Sequence, residues 1–320
     1  MRIKRVICII SCLFLFAAMA IGSGSSESDS EKKVSSSKDQ DTEEEAAMSE
    51  VGSEGDGGSF GEKTVEEKSD SGASKVSIGE QVLVDQDGIK ITATDYTTDS
   101  IWGDGIHLII ENNTDRDYTV GCDALIVNDF MISDLFVSDV AAGKKASETM
   151  YLSSSELKAA GIDTVGKVEM YFHAYDDDLD DLFRKVYAEI HTSEFDNMDT
   201  SADDSGTELY NNNGIRIIGK TVDEDSFWGM AILLYCENNS GRNITIHVDD
   251  MSINGFMMTP YFASTIYDGK KAFDDITIMS SDLESSGVQT IEEAELKFRI
   301  NDEDTYDTID ETEPISFTAQ

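Results

Sequence analysis

The chain is short of basic residues, histidine, cysteine and proline, and each shortage narrows what it can be. Lysine and arginine number 24 against 65 aspartates and glutamates in 320 residues, giving a formal net charge of −41. So acidic a chain repels phosphate backbones and anionic membrane surfaces, which makes nucleic acid a poor partner. The four histidines have no metal-ligand spacing to cysteine or to one another, so the sequence offers no histidine-based metal motif.

Cysteine is nearly absent from the body of the protein. Only Cys122 and Cys236 lie beyond the first 22 residues, and they do not align with each other in the internal repeat described below. Each falls in the apolar phase of its own strand, so both are predicted to be buried thiols in separate cores rather than a disulfide. Proline is limited to Pro260 and Pro314, which leaves edge strands without one common protection against pairing.

The first 22 residues have the pattern of an export signal. Three basic residues precede an apolar run of about 17 residues, and Ala18-Met19-Ala20 fits a small-residue cleavage site. A run this short is marginal for spanning a bilayer, so we predict an extracytoplasmic protein, either secreted or associated with membrane or cell wall. An uncleaved anchor and lipidation at Cys12 stay open as alternatives, and membrane contact is expected only through this segment.

Residues 23–76 contain little that can form a core. They are rich in serine, glycine, glutamate, aspartate and lysine, and Phe60 is their one aromatic residue. Without apolar side chains to offset the loss of chain entropy, the segment is predicted to be a disordered acidic linker. Its natural role is to space a folded body from the membrane or wall.

From about residue 80 the sequence repeats itself at a constant offset of 126 residues, with about 36 identities over about 110 positions. Trp102-Gly103 matches Trp228-Gly229, and Gly-Lys-Lys-Ala at 143–146 recurs at 269–272. We call 80–192 the first repeat and 206–318 the second repeat. The chain is a tandem duplication, and each copy is long enough to bury its own core.

Both copies have the patterns of short β-strands. Apolar residues alternate in "GIKITATDY", and the alternation in the fourth strand slips phase near Asp123 and Asp249, which predicts β-bulges. Asn128-Asp129 and Asn254-Gly255 predict hairpin turns. Ser153-x-x-Glu156 predicts a capping box that opens one short helix. Seven to nine strands per copy at this spacing are typical of a β-sandwich.

Both copies resemble the immunoglobulin-like extracellular domains of unknown function found in Gram-positive secreted proteins and lipoproteins. The resemblance rests on "GIKI…ENNTDR…VND" and "GIRI…ENNSGR…ING", each followed by Gly-Lys-Lys before a strand. It implies fold and location rather than activity. We predict an all-β chain of two tandem immunoglobulin-like β-sandwiches, each with one short helix. The predicted segments are a signal peptide or anchor at 1–22, a linker at 23–76, two β-sandwich domains that contain the repeats at 77–194 and 206–320, and a linker between them at 195–205.

Two features that occur in both copies have a functional interpretation. Trp102 and Trp228 open a central strand, and sandwiches commonly bury one tryptophan, so both are predicted to lie in the core, with a surface binding platform as the alternative. The basic pairs Lys144-Lys145 and Lys270-Lys271 are predicted to be exposed turn residues. Contact with an acidic partner is the alternative for these lysines.

Aspartates cluster in a loop of each copy, in "DDDLDD" at 176–181 and "DEDTYD" at 302–307. Ca²⁺ takes six to eight oxygen ligands, which such a loop can supply in part, although the spacing is not that of an EF-hand. A solvated acidic loop is the simpler interpretation. The candidate calcium ligands are Asp176, Asp178, Asp181, Asp302, Asp304 and Asp307.

The sequence contains no catalytic constellation, so we expect no enzyme and no required cofactor. The leading hypothesis is a non-catalytic binding or display module for a protein or polysaccharide at the cell envelope. A calcium-stabilised structural or adhesion module is the first alternative. A carboxylate-based glycan hydrolase is the second, but the sequence does not single out the two carboxylates that such an enzyme needs.

Overall fold

The computed structural model describes residues 76–99, 102–133 and 136–318. The signal segment, Cys12 and nearly all of the predicted acidic linker lie outside the described residues. Within these ranges the chain is all-β with two short helices, as expected. No helix in the described part of the chain is long and apolar enough to cross a membrane.

The first repeat forms nine strands and one helix. The strands are β1 (Gln81–Gln86), β2 (Ile89–Asp99), β3 (Gly103–Asn112), β4 (Tyr118–Val127), β5 (Phe130–Ile132), β6 (Val137–Val140), β7 (Lys145–Tyr151), β8 (Lys167–Tyr175) and β9 (Asp181–His191). Helix α1 (Ser154–Ala159) lies between β7 and β8, and a 3₁₀ turn, Phe195–Asn197, follows β9.

The second repeat follows the same order. Its strands are β10 (Thr207–Asn212), β11 (Ile215–Ser226), β12 (Gly229–Asn238), β13 (Ile244–Ile253), β14 (Phe256–Met257), β15 (Ala263–Ile266), β16 (Lys270–Met279), β17 (Glu293–Asp302), β18 (Thr308–Glu311) and β19 (Ile315–Thr318). Helix α2 (Ser280–Ser286) lies between β16 and β17.

Three sheets carry these strands. One has the order β1-β2-β3-β7, and another has the order β14-β13-β17-β18, with β15 also on β13 and β19 on β17. The third sheet combines both repeats, because its order is β10-β11-β12-β16-β5-β4-β8-β9, with β6 on β4. Alternate side chains of facing strands enclose two main apolar cores, an arrangement consistent with a β-sandwich. One core lies in each repeat, and the core of the first repeat also includes Ile218 and Tyr235 of the second.

Turns and bulges lie where the sequence predicts them. The β4–β8 register shifts between Cys122 and Ala124, and the β13–β17 register shifts after Asp249. Asn128 and Asn254 adopt left-handed conformations, with φ of 48° and 49°, in the hairpin turns after β4 and β13. Asparagine tolerates this conformation, which explains why both copies keep it there.

The predicted capping box is wrong. Ser153 precedes α1 but makes no side-chain capping hydrogen bond. The carboxylate of Glu156 instead accepts a hydrogen bond from the backbone amide of Ser133, at 2.5 Å. The side chain therefore ties the helix to the segment after β5, and this tertiary contact replaces the local cap.

A buried asparagine in each repeat holds the loop after the central strand. Asn112 donates from Nδ2 to the carbonyl oxygens of Arg116 and Val140, both at 2.8 Å, and its Oδ1 accepts from the Thr114 amide. Asn238 repeats the same contacts in the second repeat. The "ENN" motif therefore contains a buried latch as well as a turn, because its first asparagine satisfies backbone groups that water cannot reach.

The two cysteines are separate thiols. Cys236 is fully buried in the second core, where burial raises the pKa of its thiol well above the ordinary value. Cys122 is half-buried, and its Sγ donates to the carbonyl oxygen of Ala124. The predicted burial in two different cores is confirmed for Cys236 and met in part by Cys122.

Candidate binding surfaces

The two tryptophans lie on the surface, so the prediction that they are core residues is wrong. Trp102 is 64% exposed and Trp228 is 48% exposed. Each stands in the turn just before a glycine that begins the central strand, where Asp99 pairs with Gly103 and Ser226 pairs with Gly229. The side chain therefore extends from the hairpin tip rather than pointing between the sheets.

A second exposed aromatic ring accompanies each tryptophan. In the first repeat the ring of Tyr151, 41% exposed at the end of β7, has its centroid 6.1 Å from that of Trp102. In the second repeat Phe227, 84% exposed, packs edge-to-face on Trp228 with centroids 4.8 Å apart. We call these two pairs the aromatic tips. The sequence did not identify the second rings, because Tyr151 and Phe227 align with Thr277 and Ile101.

Carboxylates flank both aromatic tips. Asp99 accepts a hydrogen bond from the Trp102 amide at 2.9 Å, and Asp104 accepts one from the Thr98 hydroxyl at 2.7 Å. Beside the second tip lies an open cleft of about 410 Å³. Its lining includes the acidic residues Glu224, Asp225 and Glu284 and the apolar residues Met230, Leu283 and Val288. An aromatic face beside negative charge favours a cationic or amphipathic ligand.

Backbone geometry fixes the second tip in place. Gly229 adopts φ of +159°, and a Cβ there would lie 2.0 Å from the carbonyl oxygen of Ile278. The Trp228 carbonyl also accepts hydrogen bonds from the amide of Ser280 at 2.9 Å and from its hydroxyl at 3.1 Å. The start of α2 therefore holds the hairpin, and the aromatic pair is presented on a supported turn.

The first aspartate loop is organised by an arginine and backbone amides. Asp176, only 4% exposed, lies 2.5 Å from the Arg116 guanidinium through Oδ2. Its Oδ1 accepts hydrogen bonds from the amides of Asp178 and Asp180, at 3.0 and 3.1 Å. Asp178 and Asp181 are exposed. The most buried carboxylate of the loop is thus neutralised by a side chain of the protein itself.

The second aspartate loop repeats this arrangement. Asp302 accepts hydrogen bonds from the amides of Thr305 and Asp304, which lower the pKa of its carboxyl group. Arg242, the counterpart of Arg116, reaches Oδ2 of Asp302 at 3.4 Å. Asp304 and Asp307 are exposed. Across the described ranges no cluster of three His, Cys, Asp or Glu side chains has the geometry of a metal site. The calcium sites stay a prediction.

The second lysine pair is not exposed, contrary to the prediction. Lys270 is 13% exposed and forms ion pairs with Asp129, at 2.8 Å, and Glu169, at 2.6 Å, in the first repeat. Lys167 binds the same two carboxylates at 2.7 and 3.2 Å. Burial alone would raise the pKa of Asp129, but hydrogen bonds from Lys167 and Lys270 bring it below its ordinary value. These four residues form a largely buried ionic cluster between the repeats, in which only Glu169 is fully shielded.

Apolar contacts surround the ionic cluster. The Phe130 and Phe273 rings stack with centroids 6.0 Å apart, and Tyr171 contacts Tyr267 edge-to-face at 4.7 Å. Beneath them β5 and β16 pair in parallel at Phe130 and Lys271, and the Lys271 amide donates to the Asp129 carbonyl at 3.0 Å. We call the ionic cluster, these rings and the paired edges the repeat junction. It was not predicted from the sequence.

Comparisons with known proteins identify no family for this chain. No family model matches it, and no curated protein matches it. Among solved structures, the YadV chaperone is similar at 12% identity and a TM-score of 0.22, over 67% of this chain and 91% of that one. The Salmonella enterica SafA pilin–SafB chaperone complex gives 9% and 0.19, over 67% and 88%. Bacteroides uniformis β-glucuronidase gives 11% and 0.21, over 72% and 26%. These scores are too low to indicate a function.

Proposed function

We propose that this chain is an exported cell-envelope protein that acts as a non-catalytic binding module. In this proposal two tandem immunoglobulin-like β-sandwiches, at 77–194 and 206–320, present one aromatic tip each. The observation that carries it is an exposed tryptophan at the same hairpin of both repeats, each beside a second exposed ring, from β7 in the first repeat and from the hairpin itself in the second. Large exposed aromatic side chains are expensive to leave in water and are enriched among the residues that dominate protein interfaces.

The partner that fits best is a protein with lysine or arginine side chains at the contact. Carboxylates flank each tip, and the whole chain carries a formal charge of −41. A cation over a tryptophan face contributes about 0.5–2 kcal/mol, and a long-range negative field accelerates the approach of a basic partner. Two tips on one chain add avidity when a partner engages both together.

Intrinsic fluorescence offers a direct assay, because the chain contains only two tryptophans and each is at a tip. The full chain is immobilised, envelope proteins of the producing cells are passed over it, and the retained protein is purified. Its titration into the free chain is expected to change the tryptophan emission. Trp102→Ala and Trp228→Ala are each expected to weaken binding about thirtyfold or more, since interface hot spots cost at least about 2 kcal/mol.

Tyr306→Ala is the matched control, since Tyr306 is an exposed aromatic residue, 61% accessible, in a different loop. Its binding is expected to equal that of the unsubstituted chain. Equal binding by the tip variants and this control would overturn the assignment of the tips. Retention of polysaccharide alone would instead overturn the choice of a basic protein.

A further inference from the structure

The repeat junction joins two different sheet edges. The first repeat contributes β5, and the second contributes β16, through the parallel contact at Phe130 and Lys271. Phe130 is only 1% exposed, and Lys271 lies over its ring at 5.4 Å. Because the two edges differ, this contact is heterologous rather than two-fold symmetric.

The duplication leaves a second copy of each edge uncovered. The counterpart of β5 is β14, where Phe256 is 50% exposed and Met257 is 70% exposed. The counterpart of β16 is β7, which pairs only with β3 within the described sheets. Each chain thus has an acceptor edge (β14) and a donor edge (β7), and each edge resembles one that is covered at the repeat junction.

The donor edge begins with two lysines, and two glutamates lie in the sheet of the acceptor edge. Lys144 and Lys145 lie at the start of the donor edge, and both are exposed. Glu293 and Glu295, both exposed, begin β17, in the sheet that contains β14. At the repeat junction Lys270 binds Glu169, and the corresponding pair between two open edges is Lys144 with Glu295. One ion pair of the junction is therefore retained between the open edges, whereas Gly255 replaces Asp129 and Glu293 replaces Lys167.

The apolar part of the junction is reduced at the open edges. Ser147 and Ala141 stand where β16 and its preceding turn have Phe273 and Tyr267, and Lys297 stands where the first repeat has Tyr171. Loss of three aromatic rings removes much of the buried apolar area that stabilises the internal contact. A contact between open edges is therefore weaker than the repeat junction.

We propose that the acceptor edge of one chain binds the donor edge of a second copy of this chain, in the parallel arrangement seen at the repeat junction. The contact covers Phe256 and Met257 and places Lys144 beside Glu295. Because each chain has one edge of each kind, the association is head-to-tail and continues beyond a dimer unless the rotation closes a ring.

Two variants, each lacking one edge, test this proposal. Phe256→Asp adds a charge to the acceptor edge. Lys145→Pro removes the amide that corresponds to the donating amide of Lys271, and proline is tolerated on an edge strand. Sedimentation velocity on the full chain, from about 10 μM to about 1 mM, is expected to show a weight-average mass that rises with concentration. Each variant alone is expected to remain monomeric.

An equimolar mixture of the two variants is the decisive sample. Each variant retains the edge that the other lacks, so the mixture is expected to form dimers and nothing larger. That dimer also shows that both variants are folded. Tyr306→Asp, at an exposed site away from either edge, is expected to associate like the unsubstituted chain. A chain that stays monomeric up to about 1 mM, or a mixture that stays monomeric while the unsubstituted chain associates, overturns the proposal.

Discussion

The largely buried ionic cluster leads to a quantitative prediction about the contact that joins the repeats. Lys270→Met removes an ammonium that lies within 2.8 Å of Asp129 and 2.6 Å of Glu169, while keeping an apolar side chain of similar length. Breaking a buried ion pair typically costs about 3–5 kcal/mol, because a charge is left without its partner. Lys167 still neutralises both carboxylates, so we expect the free energy of unfolding to fall by about 2 kcal/mol.

The duplication supplies a matched control for this substitution. Lys144 occupies the position of Lys270 in the first repeat, but it is exposed and, in the described part of the chain, forms no ion pair. Lys144→Met is therefore expected to change the free energy of unfolding by less than about 0.5 kcal/mol. Urea denaturation of both full-length variants, followed by circular dichroism, measures the difference. Equal effects of the two substitutions would refute the reasoning, because the junction would then contribute nothing.

Three other substitutions or additions have defined outcomes. Burial raises the pKa of Asp274 from 3.8 to about 6, so its ionised form lowers the stability of the chain above about pH 6 and not below about pH 4. Asp274→Asn is therefore expected to stabilise the chain in thermal melts by up to about 3 kcal/mol at pH 8 but not at pH 4. Glu148→Gln, at the matching position of the first repeat, is expected to give no such pH-dependent gain. Asn238→Ala is expected to cost about 3 kcal/mol in urea denaturation, because two buried carbonyl oxygens lose their donor, whereas the exposed neighbour Asn239→Ala costs less than about 0.5 kcal/mol. Millimolar Ca²⁺ added after EDTA is expected to raise the melting temperature no more than Mg²⁺ does, because Arg116 already neutralises Asp176. A rise of several degrees specific to Ca²⁺ would instead support the calcium-stabilised module.

Positions that agree between the copies allowed much of the fold to be predicted. Asn128 and Asn254 mark the same hairpin, and Asp123 and Asp249 mark the same bulge, because both features depend on local backbone geometry. The prediction that the tryptophans are buried was wrong for a related reason. A residue next to the start of an apolar strand can still belong to the preceding turn. Whether its side chain is buried depends on the residue at which strand pairing ends.

Positions that differ between the copies mark the repeat junction. Phe273 aligns with Ser147, and Tyr267 aligns with Ala141. At both positions the second repeat has an aromatic residue where the first repeat has a small one. In an isolated sandwich, an aromatic side chain at an outward edge would be exposed to water and would add nothing to the core. Sequence comparison of the repeats could therefore have indicated this surface, but the residues that cover it come from elsewhere in the chain, and no local pattern specifies them.

The same differences explain how an internal contact can be strong while its open copies stay weak. Within the chain, covalent connection holds β5 and β16 together at an effective concentration of the millimolar order, and three aromatic rings add buried area. Between chains neither advantage exists, and the net negative charge opposes approach. Head-to-tail association therefore requires chains that are already concentrated, as they would be when anchored side by side on a cell envelope.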